Sequence, residues 1–144
     1  MDLGIRGKRA LVMGSSYGMG NGVARALAAE GVDIILTARS QDLLEREARD
    51  IAETHGVRVE AMACDLGAPG DLDRLVEFAR DRFGGIDIQF NNCGRPPRLL
   101  PSEADDKLWH DWFDIIMMSA VRATGALMPG MRQRGWGRVL SMTS

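Results

Sequence analysis

An apolar run, Arg9 to Met13, passes straight into Gly14-Ser15-Ser16-Tyr17-Gly18-Met19-Gly20, and a helical pattern continues from Gly18 to Glu30. A chain that turns this sharply from strand to helix has few folds open to it. The glycines follow a G-xxx-G-x-G spacing, with small residues where backbone would have to approach an anion closely. The helix that follows offers unpaired N–H groups and the positive end of its dipole. A glycine cluster alone also suits a bare structural turn, because glycine accepts positive φ. The strand before it and the helix after it favour a phosphate-binding turn.

The alternation then repeats. Asp33 to Thr37 reads as a second strand and Gln41 to Thr54 as a charged helix, in which Leu43, Leu44, Ala48, Ile51 and Ala52 recur at helical spacing. Gly56 suits its C-terminal cap, and His55 beside it suits the helix dipole. Arg58 to Ala63 is a third strand. Pro69 is placed for the first turn of a helix carrying Leu72, Leu75, Val76, Ala79 and Phe83, and Ile86 to Phe90 is a fourth strand. The longest helical pattern runs from Leu108 to Met131, with Pro129 expected to kink or shorten it. Arg138 to Met142 is a fifth strand. Strands alternating with helices predict βαβ units around a parallel sheet.

Composition excludes several classes. The 144 residues suit one domain, and 45% hydrophobic with 26% charged residues describes a globular chain. A net charge of −2 without a basic run argues against nucleic acid and anionic membrane as partners. The start, Met1-Asp2-Leu3-Gly4, lacks the features of a signal peptide, and no apolar stretch approaches the ~18 residues a membrane helix requires. Cys64 and Cys93 have neither a disulfide framework nor metal-ligand spacing, and a cytoplasmic location is expected. His110 lies among Asp106, Asp111 and Asp114, but these positions converge poorly on a metal; a solvated acidic helix face is the expectation.

The second strand ends Thr37-Ala38-Arg39-Ser40, without the acidic residue that receives a ribose 2′-hydroxyl in NAD-specific dinucleotide folds. Arg39 reads either as a partner for a 2′-phosphate or as a solvated residue at a helix start. The first reading favours NADP, with NAD as the alternative.

A second motif, Asn91-Asn92-Cys93-Gly94, follows the fourth strand. Taken with the glycine loop, it resembles the TGxxxGxG and NNAG signatures of the short-chain dehydrogenase/reductase family. The resemblance covers essentially the whole chain, but only the first part of that family's domain. It implies a Rossmann-type doubly wound α/β domain over residues 1–144, with five parallel strands ordered 3-2-1-4-5 and the chain ending after strand five. It implies a dinucleotide held by the loop Gly14, Ser15, Ser16, Tyr17, Gly18, Met19 and Gly20. Ser16 is a candidate hydroxyl donor, and Tyr17 stands where NADP-using relatives often carry a basic residue. Asp65 and the Leu66 backbone are implied at the adenine ring, where the bare sequence reads Asp65 as a cap or turn residue. Asn91, Asn92 and Gly94 are implied at the ribose side, although asparagines there also suit bridging of neighbouring strands.

The family's catalytic set is a serine at the end of strand five with a later YxxxK. Ser144 matches the serine. The only tyrosine is Tyr17 and the only lysines are Lys8 and Lys107, so the chain holds no YxxxK. In register between Asn92 and Ser144, Ile116 falls where active members carry an asparagine that supports a proton relay. The chain therefore resembles a divergent branch close to 3-oxoacyl-carrier-protein reductases. It is expected to keep the cofactor half of an enzyme acting on a carbonyl or secondary alcohol, and to show no turnover alone. A non-catalytic dinucleotide-binding module and a structural subunit are the alternatives. The apolar helix near Leu108 to Met131, with an open fifth strand, predicts a homo-oligomer or a poorly soluble fragment.

Overall fold

The structure is a computed structural model that describes residues 2–95 and 97–143. Five parallel strands form one sheet in the order β3-β2-β1-β4-β5. They are β1 (Arg9–Met13), β2 (Asp33–Ala38), β3 (Val59–Ala63), β4 (Ile88–Asn91) and β5 (Arg138–Ser141). Helices α1 (Gly18–Ala29), α2 (Gln41–His55) and α3 (Asp71–Phe83) make the first crossovers. The last runs through α4 (Asp106–Phe113), a π turn (Asp114–Met118) and α5 (Ser119–Gln133).

Burial explains the apolar stretches Ala10 to Met13 of β1 and Ile34 to Leu36 of β2. Ala10, Leu11, Val12 and Met13 are at most 1% exposed, since helices cover both faces of a parallel sheet. Ala10 and Val12 pack with Ala24, Ala28, Leu44 and Ile51 of α1 and α2. Leu11 and Met13 pack with Leu75, Ala79, Ala123 and Leu127 of α3 and α5. Burying a large side chain of this kind contributes about 1.5–3 kcal/mol.

The amino edge of the sheet is tied by charge. The buried Asp87 carboxylate accepts from Arg9 Nε and Nη2, both at 2.8 Å, and from Arg134 Nε at 3.0 Å. Burial opposes ionisation of Asp87, but the two guanidiniums outweigh it and hold the carboxyl below its ordinary range.

Three local expectations need correction. Pro69 lies ahead of α3 in a turn closed by the Asp71 N–H on Ala68 O (3.3 Å), not in the helix's first turn. Pro129 neither shortens nor ends its helix, which runs on to Gln133; the carbonyl that loses a donor there belongs to Gly125, an exposed residue. The single helix read from Leu108 to Met131 is interrupted by the π turn. The Ser119 hydroxyl donates to the Ile115 carbonyl at this point, a local bond that competes with the regular ladder.

Candidate functional site

Because every strand pair is parallel, the residues after each strand emerge at one carboxyl edge. Gly14 to Gly20, Arg39, Asp65-Leu66, Asn91 to Gly94 and Met142-Thr143 therefore share that edge. β1 lies between β2 and β4, where the strand order reverses, and such switch points are where open α/β sheets bind ligands.

The loop after β1 is pinned from several sides. The Ser15 N–H donates to Thr37 O (3.1 Å), and the Ser15 hydroxyl accepts from the Thr37 N–H (2.9 Å). That hydroxyl is fully buried and so serves the sheet. Asn92 Nδ2 donates to Gly14 O at 3.2 Å. A Cβ on Gly20 would lie 2.2 Å from Gly14 O, and one on Gly14 would lie 2.7 Å from Asn92 Nδ2. These two glycines are thus required by close approach. Gly18 differs: its φ is +63°, and a Cβ there would meet nothing within 4 Å.

Helix α1 starts beside that open space. Its N-cap, Tyr17, is extended and makes no side-chain cap bond, and the first turn holds no acidic residue. Among the described residues no side-chain acceptor meets the first N–H groups, and no acidic residue in the first turn offsets the positive end of the dipole. An anionic diphosphate fits both properties. Ser16 is half-buried, while Tyr17 and Met19 are exposed.

Arg39 is exposed one residue beyond β2. Asp65 forms a turn, its Oδ1 accepting from the Gly67 N–H at 3.0 Å, and its own N–H donates to Asp71 Oδ2 at 3.0 Å. That N–H, with Arg74, holds the Asp71 carboxyl below its usual range. The turn residue read from the bare sequence is therefore present, with Leu66 half-buried beside it. Cys64 just before it is buried; burial, with Asp71 and Asp65 nearby, pushes its thiol up to about 11. Burial also raises the half-buried Cys93 thiol.

The two asparagines bridge neighbouring elements, one of the roles open from the sequence. Asn92 reaches the glycine loop, and Asn91 Nδ2 donates to the Ser141 hydroxyl of β5 at 3.1 Å. Gln89 extends this line, its Nε2 donating to Asn91 Oδ1 (2.6 Å) and Thr124 Oγ1 (3.0 Å). Its Oε1 has no partner among the described residues. Sequence reasoning passed over Gln89, although a glutamine inside an apolar strand was the visible signal. Gly94 is exposed. Ser144 lies outside the described residues, and the chain around it is described as far as Thr143.

The π turn places Ile116 at 44% exposure and sets Ile115 against the turn after β3, where a Cβ on Gly67 would lie 3.3 Å from Ile115 Cδ1. Of the acidic side chains around His110, Asp111 is engaged with Lys107 and Asp114 with Arg122.

A family model described as short chain dehydrogenase matches residues 8–144. D-beta-hydroxybutyrate dehydrogenase of Cupriavidus necator is 33% identical over 141 residues, covering 97% of this chain and 54% of that protein. The 3-oxoacyl-[acyl-carrier-protein] reductase FabG of Escherichia coli is 31% identical over 142 residues, covering 99% of this chain and 57% of that protein. Among solved structures, L-sorbose reductase from Gluconobacter frateurii, complexed with NADPH and L-sorbose, superposes with a TM-score of 0.94 at 42% identity. That match covers 98% of this chain and 54% of the reductase. The chain spans about half the length of the curated relatives it matches.

Proposed function

The chain belongs to the short-chain dehydrogenase family, and from that premise we propose that it forms the dinucleotide-binding part of an NADP-linked oxidoreductase. The whole of residues 1–144 is read as one such domain. The observation that carries the proposal is the uncapped N-terminus of α1, set above a glycine loop that β2 and Asn92 hold in place. Backbone N–H groups of Ser16 to Gly20 would receive the diphosphate, and Arg39 would pair with the 2′-phosphate. The turn at Asp65 and Leu66 would border the adenine, and Asn91 to Gly94 the ribose side. The complexes of L-sorbose reductase with NADPH and of the Thermococcus sibiricus alcohol dehydrogenase with 5-hydroxy-NADP support the choice of NADP over NAD.

When bound, such a cofactor supplies hydride exchange with a carbonyl or secondary-alcohol carbon. By its match to the family's serine in sequence, Ser144 is the candidate hydroxyl for holding the substrate oxygen. The reductase and dehydrogenase activities in the names of the relatives support that small-molecule substrate class.

Ile116 favours a second reading, a module that binds the dinucleotide without redox chemistry, since its side chain can neither donate nor accept a proton. The exposed Trp109, Phe113, Met117, Val121 and Met128 support self-association through the α4–α5 helix. No described helix is long and apolar enough to cross a membrane, and with the net charge of −2 this is compatible with the cytoplasmic location we infer.

Titration of the chain with NADPH, followed by its fluorescence, tests the main reading. Saturable binding tighter than that of NADH is expected. An unchanged signal with both coenzymes would overturn it.

A further inference from the structure

The cofactor reading leaves one side chain on α1 unexplained. Asn21 turns back from the first turns of the helix, and its Nδ2 donates to the Ser15 carbonyl at 3.2 Å and to Glu47 Oε2 on α2 at 2.8 Å. Its Oδ1 accepts from Arg25 Nε at 2.8 Å. The amide therefore uses both donors and its acceptor, and the arginine fixes which end is which. Arg25 is held in turn by Glu47 and Asp50, each at 2.6 Å. The side chain is thus locked between two helices and the loop.

That lock bears on the loop's direction. A trans peptide is planar, with its C=O and N–H on opposite sides, and no cis bond occurs among the described residues. Holding Ser15 C=O toward Asn21 forces the Ser16 N–H, in the same peptide plane, to point away from Asn21. The Ser15 N–H and hydroxyl are tied to Thr37, which leaves the rotation of the Ser15–Ser16 peptide about ψ of Ser15 to the bond from Asn21.

We propose that Asn21 is a positioning residue for the dinucleotide: it aims the Ser16 N–H at the diphosphate and ties that aim to α2 through Glu47. The proposal rests on the dinucleotide reading above. Asn21 touches no reacting atom, and its effect is carried by one backbone donor.

The test uses the 144-residue chain with NADPH, wild type against Asn21→Ala and Asn21→Asp, by fluorescence titration and by 15N-resolved NMR of backbone amides. Alanine suits a helix, so Asn21→Ala keeps the fold; aspartate retains the acceptor for Arg25 but repels Ser15 O and Glu47. Both variants are expected to bind NADPH about tenfold more weakly, the loss of one well-aimed hydrogen bond. At saturation the ligand-induced shift of the Ser16 amide should shrink, while that of the Leu66 amide, at the adenine turn, persists. Unchanged affinity in both variants would overturn the proposal, as would equal loss of the two shifts, which a merely structural role would give. A wild-type chain showing no NADPH-induced shift would overturn the dinucleotide reading itself.

Discussion

Asn92 donates its side-chain amide to the Gly14 carbonyl at 3.2 Å across a separation of 78 residues, joining the end of β4 to the glycine loop after β1. The contact spans the switch point, so the second sequence motif holds the first in shape. Asn92→Ala should leave that carbonyl short of a donor and cost about 1–3 kcal/mol, read as a lower urea midpoint. Asn92→Asp should cost more, because a carboxylate would face the carbonyl oxygen.

The glycines of the loop should respond differently to a methyl group. At Gly20 the new Cβ would lie 2.2 Å from Gly14 O, so the helix or the loop must move. Gly20→Ala is expected to destabilise the fold by about 1–3 kcal/mol, as overpacking does, and to abolish NADPH binding. Gly18→Ala meets open space and incurs only the left-handed backbone penalty, roughly 1–2 kcal/mol. Calorimetric melting of the two variants should rank them in that order.

Arg39 should decide between coenzymes. Its pairing with a 2′-phosphate is a charged hydrogen bond, so Arg39→Ala is expected to weaken NADPH by about ten- to a hundredfold. NADH affinity should change little. Parallel titrations with the two coenzymes measure the ratio.

Acid should loosen the amino edge of the sheet. The folded Asp87 carboxyl sits below its unfolded value because Arg9 and Arg134 favour the charged form despite burial. Its contribution is therefore fully present above an unfolded pKa of about 3.9 and fades as pH falls through the lower folded value. Urea midpoints between pH 6 and 2.5 should drop in wild type. Asp87→Asn should already be weaker at pH 6 and show a flatter profile.

Cys64 gives the opposite sign. Its folded pKa is raised to about 11, so the neutral thiol adds stability below the unfolded value of about 8.5, which is lost as pH rises toward the folded one. Thiol-reagent labelling of the folded chain at pH 8 should leave Cys64 unmodified, and Cys64→Ala should blunt the alkaline loss of stability.

The strands, the helices and the carboxyl-edge loops were legible in the sequence because each depends on neighbours in the chain. Ala10 to Met13 are apolar because both faces of β1 are covered. The glycine loop shows itself by residue type, and Gly56 closes α2 in the left-handed conformation expected of a cap. Local chemistry cannot show a partner far along the chain. Nothing in the string around Asn21 reveals that its amide meets Ser15 on one side and Glu47 on the other. Pro129, read locally, predicts a kinked or shortened helix; the helix runs on to Gln133, with Leu127 and Met131 on either side buried against the core.

The chain's own order of residues determined the α/β alternation, the parallel sheet and the place where an anion would meet backbone, since periodicity and backbone conformation are short-range properties. Only the folded molecule decided which amides aim that backbone, that Ser15 serves the sheet while the Gly18 face stays open, and that a π turn sets Ile115 on the loop after β3. Those outcomes come from hydrogen bonds and packing between segments that meet only when the sheet closes over its helices.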